Sequence, residues 1–120
     1  MLRFKKELQT ELNTIPKQEY KQLGGDFNAR LYQRLDGEED VFGKHLLSKP
    51  NTNLDEIQPD IWDNRTLFAT FCLDNDLVAQ NTRFEQTTKN TCTFKLPGTH
   101  MKNQNWTEGP FHQIDFILTP

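Results

Sequence analysis

The 120-residue sequence predicts an α/β domain, and three observations carry that prediction. Apolar residues recur at helical spacing in two segments. Short runs rich in β-favouring residues follow those segments. Clusters of Gly, Asn, Asp and Pro punctuate the chain between them.

Taken in order, Phe4, Leu8, Leu12 and Ile15 repeat at steps of four, four and three with charged and amide residues between them. That is the pattern of an amphipathic helix, ended by Pro16. Tyr20 to Leu23 reads as a short strand that stops at Gly24 and Gly25, which puts Asp26 at the mouth of a sheet. Asp36 to Asp60 is dominated by Gly, Asn, Pro, Ser and acidic residues, with brief apolar interruptions at "VFG" and "HLL", and reads as a long surface loop. Loops of that length in a compact domain usually serve a site. A second helix is expected from Asp63 or Asn64 as N-cap, with Leu67, Phe68, Phe71 and Cys72 facing the core and an end near Asn75. Leu77 to Phe84 ("LVAQNTRF"), Thr91 to Leu96 ("TCTFKL") and Phe111 to Leu118 ("FHQIDFIL") read as strands. A loop bounded by Pro97 and Pro110 joins the last two, and there is no internal repeat.

The chain has the length of one domain, 1–120, with a lean core: 34% of its residues are hydrophobic, nine of them Phe, and mean hydropathy is -0.80. A net charge of -3 and a pI near 5.6 argue against a module that holds nucleic acid by bulk charge. They leave room for an enzyme whose carboxylates hold a cation beside a phosphate. Cys72 and Cys92 form neither a zinc spacing nor a disulfide framework. The sequence has no apolar run of membrane-spanning length, and "MLRFKKELQTEL" lacks the continuous apolar stretch of a secretory signal. An intracellular protein that is not secreted is expected, in nucleus or cytoplasm. The Asn-x-Thr triplets at Asn64 and Asn105 are then coincidental.

Asp26 and Asn28 would point to one side if the backbone stayed extended. A carboxylate there can position a water or bind a divalent cation, and the carboxamide can donate to a phosphate oxygen. An Asx turn closing the strand is the plainer alternative. Asp115 lies between apolar Ile114 and Phe116, where a charge needs a partner unless it faces solvent on an edge or one-sided strand with Gln113 and Ile117. His45, His100 and His112 have no metal-ligand spacing and read as loop or surface residues without a catalytic role. "LDNDL" lacks the glycine and distal glutamate of a calcium loop. Trp62 and Trp106 read as core or loop anchors, and no Ser, Cys or His set supports nucleophilic catalysis.

"GGDFNARL", "DNRTLFATFCLDNDLVAQNTRF", "TFKLPGT" and "FHQIDFIL" together resemble, in order and spacing, the C-terminal half of the endonuclease/exonuclease/phosphatase superfamily. They look most like non-LTR retrotransposon endonuclease domains and craniofacial development protein 2-like sequences. The resemblance implies a partial, DNase I-like four-layer α/β/β/α sandwich and a phosphodiester hydrolase acting on nucleic acid, DNA by family, with Mg2+ or Mn2+. On the matching positions Asp26 would position the attacking water and touch the metal, Asn28 would hold the scissile phosphate, and Asp115 would orient a catalytic histidine. Arg30, Asn81 and Thr82 would lie on the substrate side, the last two with a structural role as the alternative. The family's principal metal-binding glutamate and its closing aspartate-histidine pair have no match in this sequence, so the expected protein is an incomplete endonuclease. A non-catalytic remnant that associates through exposed sheet edges or apolar faces is the alternative.

Overall fold

The computed structural model describes residues 2–16, 21–49, 52–95 and 111–120. The first helix, α1 (Leu2–Asn13), buries Leu12 and packs Leu8 and Ile15 against the core, as its period predicts. β1 (Leu23–Asp26) begins where the sequence reading ended its first strand. The glycine pair lies inside the strand instead of stopping it, and Gly25 takes φ +152°, a backbone that side-chain-bearing residues rarely adopt.

The second helix, α2 (Pro59–Asp74), starts earlier than Asp63, with Gln58 at the N-cap and Pro59 at N1. Proline suits that position because its missing N–H would be unsatisfied there anyway. Its end at Asn75 is as expected, and reciprocal side-chain bonds between Gln9 and Asn75 (2.8 and 2.7 Å) tie α1 to that end. The helix buries Arg65, Phe68, Ala69, Phe71 and Cys72, whereas Leu67 is only half-buried.

β2 is the two-residue Val78–Ala79, not an eight-residue strand, because the chain turns into a 3-10 helix at Gln80–Thr82. A single turn, α3 (Thr88–Thr91), precedes β3 (Phe94–Lys95). "FHQIDFIL" is two strands, β4 (Phe111–His112) and β5 (Asp115–Thr119). The break falls where His112, Gln113 and Ile114 are buried in succession, which alternation along one strand does not allow. The loop 97–110, with His100, Asn105 and Trp106, lies outside the described residues, as does Tyr20.

β1, β5 and β2 form an antiparallel sheet with β5 in the centre, and β3 pairs with β4 separately. The class is therefore mixed helix and strand. Phe116 and Leu118 of β5 enter the core with Phe27, Phe42, Phe68 and Phe71. Ile117, on the opposite face, is 45% exposed.

The segment 36–60 does not lie wholly on the surface, and its last two residues belong to α2. Val41 and Phe42 are fully buried, Phe42 stacks on Phe68 (5.8 Å) and bridges Ala79 in parallel. A 3-10 turn at Leu54–Glu56 then leads into α2.

Candidate functional site

The antiparallel register pairs Asp26 with Asp115 and Gly24 with Ile117, so both carboxylates stand on the sheet face away from the helices. Asp26 is exposed and Asp115 half-buried. β5 is the central strand, so Asp115 sits on a one-sided strand and not at an edge. The cross-strand juxtaposition of two like charges is unfavourable by itself; it also offers a hard cation two oxygen donors from neighbouring strands.

Beyond Asp26 the backbone does not stay extended. Phe27 turns into the core, its ring 5.1 Å from that of Phe68, and Asn28 takes a left-handed φ of +49°. The Asn28 N–H donates to Asp26 Oδ1 (2.7 Å). This is the Asx turn weighed above, and it fixes the orientation of the Asp26 carboxylate while leaving the exposed Asn28 side chain beside it.

Asn81 acts as a piece of strand. Its Nδ2 donates to the Asp115 carbonyl (3.1 Å) and its Oδ1 accepts from the Ile117 N–H (3.0 Å), so one carboxamide satisfies the two β5 backbone groups where β2 has ended. Thr82 is fully buried. Its Oγ1 donates to the Ala79 carbonyl (2.6 Å) and accepts from the Gly43 N–H (2.8 Å). For both residues these contacts describe the structural role.

Arg30 is half-buried and lines a small cavity of about 10 Å3 with Tyr32, Leu47, Lys49, His112 and Gln113, about the room one water needs. His112 is buried, not a surface residue; its ring meets Tyr32 edge-on at 6.2 Å. Burial, with Lys49 and Arg30 nearby, lowers its pKa to about 4. Burial also pushes the free Cys72 thiol up to about 12, which makes it inert at neutral pH.

Sequence reasoning missed the clamp that shapes this region. Arg65 donates Nε to the Leu31 carbonyl (2.8 Å), Nη2 to the Gln33 carbonyl (2.7 Å), and both Nη groups to Glu38 (2.8 and 2.6 Å). Between the two anchored carbonyls the chain makes a γ-turn: Gln33 N–H donates to Leu31 O (2.6 Å) across Tyr32, whose φ is +61°. That conformation is costly for an aromatic residue. The signal was present, since Arg65, Phe68, Ala69 and Cys72 share one helical stripe and an arginine on an apolar stripe needs a buried anion.

A divalent cation of the Mg2+ type uses one or two carboxylates, with waters and substrate phosphate completing its shell. Asp26 and Asp115 meet that minimum. Among the described residues no group of three or more His, Cys, Asp or Glu could hold a metal ion. Among the described residues no helix is long and apolar enough to cross a membrane. Compared with models of known families, with curated proteins and with solved structures, the chain matches none.

Proposed function

We propose that this chain is part of a divalent-metal-dependent phosphodiester hydrolase of the retroelement endonuclease type, half of a DNase I-like sandwich acting on DNA. The observation that carries the reading is the cross-strand pairing of Asp26 with Asp115, beside the turn that presents Asn28. Asp26 holds the attacking water, and the Asn28 carboxamide donates to a non-bridging phosphate oxygen. Asp115 stands where the resemblance places the carboxylate that would accept an imidazole N–H and orient the ring, the histidine itself having no counterpart here. Mg2+ or Mn2+ at Asp26 would neutralise charge on the phosphate and acidify the water.

The glutamate ligand and catalytic histidine that the resemblance requires find no counterpart among these residues, so the chain alone is a poor catalyst and binds Mg2+ weakly. The test is Mg2+-dependent nicking of supercoiled plasmid by the purified chain beside Asp26→Ala. Slow nicking abolished by the substitution supports a working carboxylate site. Nicking identical in both proteins would come from a contaminant and would sink the catalytic reading for this chain.

A second reading, a non-catalytic interaction module, is favoured by one observation: among the described residues β1 is an edge strand, and the face beside it carries exposed Ile117 opposite Gly24. Association that rises with concentration in light scattering would support it.

A further inference from the structure

Tyr32 lines the small cavity around His112 and also an open groove of about 660 Å3 that includes Arg30, Asn53, Glu56, Gln58 and Ile61. Its backbone is held in a left-handed γ-turn by groups from two other segments. Arg65 grips the carbonyls on either side, and the Lys49 N–H donates to the Tyr32 carbonyl (2.8 Å). Strain that the surroundings over-determine in this way marks a side chain presented for contact. The ring is half-buried, with His112 edge-on against it.

We propose that Tyr32 is a stacking platform for an unpaired base of single-stranded nucleic acid lying in this groove, with Arg30 taking the adjoining phosphate. The inference rests on the nucleic-acid reading above and adds to it a binding subsite. The composition of the groove fits that occupant. It offers one aromatic face for a base, which is sequence-tolerant because every base has a π-face. Arg30 supplies the cation for the backbone. The amides of Asn53 and Gln58 can serve either donor or acceptor edges of a base, and Glu56 can accept from an exocyclic amine. Position along the chain supports the same assignment, since the buried Phe27 and Ala29 and the turn at Asn28 are all that separate Arg30 from Asp26 at the sheet mouth.

The full chain is tested for binding to a fluorescent oligothymidylate by anisotropy in EDTA, so that cleavage plays no part. Tyr32→Gly is the informative variant, because glycine accepts φ +61° and the fold keeps its turn while losing the ring. Tyr32→Gly should weaken binding roughly 5- to 100-fold, Tyr32→Phe should bind like the wild type, and Arg30→Gln should lower the salt slope by about one. Equal binding by wild type and Tyr32→Gly would overturn the stacking platform while leaving the nucleic-acid reading intact. No binding by the wild type would overturn the platform as well, while the hydrolase reading stands or falls separately on plasmid nicking. Should Tyr32→Gly melt early, unchanged affinity in Tyr32→Leu would overturn the proposal in its place.

Discussion

At Gly43 an added Cβ would clash with the Thr82 carbonyl and with Arg83 Cα, which are backbone and cannot give way. Gly43→Ala is expected to cost about 1–3 kcal/mol or more, read as a fall in the urea midpoint at unchanged slope. Thr82→Val keeps the shape but strands the Gly43 N–H and should cost about 1–3 kcal/mol. His112 makes a pH prediction. Its folded pKa, about 4, lies below the ordinary 6.5. Between those values the unfolded chain binds the proton and the folded chain does not, so stability is full above 6.5 and declines as pH falls towards 4. His112→Leu should remove that part of the slope, seen by comparing urea midpoints of the two proteins across the interval. None of these features could be read locally, because Gly43, Thr82 and His112 look like ordinary loop or strand residues until the segments meeting them are in place.

Elements were legible where their reasons are local and obscure where they are not. The α1 stripe and the end of α2 follow from apolar period and from Asn75. The start of α2 was missed because Asp63 and Asn64 mimic a cap, while the true N-cap, Gln58, makes no side-chain cap bond. "VFG" looked like an interruption in a loop, yet Phe42 pairs with Ala79 from across the chain, a non-local contact that periodicity does not report. Of the candidate site, the acidic and amide residues were legible as types. Their juxtaposition depends on the β1–β5 register, and Asn28 presents itself through a left-handed turn that extended-strand geometry does not anticipate. The brace at Asn81 makes a prediction on this scale. Asn81→Ala leaves the Ile117 N–H and Asp115 carbonyl without their partners, so β5 should exchange the Ile117 amide faster, by hydrogen exchange, with about 1–3 kcal/mol lost in stability.

Over the whole molecule, two helices cover one face of a three-stranded sheet. The other face displays Asp26, Asp115 and Ile117, so the proposed carboxylate site and the proposed association surface share one face. Ile117→Asp should leave folding nearly unchanged, because the residue is 45% exposed, and should abolish any concentration-dependent association seen in light scattering.

The grip of Arg65 on Glu38 spans a separation of 27 residues in the chain, and it governs how the protein can come apart. If segment 31–49 lifted from α2 by itself, the guanidinium would stay behind in an apolar stripe without its counterion, an arrangement that typically costs about 3–5 kcal/mol. Partial opening is therefore closed to this region, and segment and helix form one cooperative unit of unfolding. The backbone amides of Val41 and Phe42, inside a stretch without regular secondary structure, should exchange no faster than the core amides of α2.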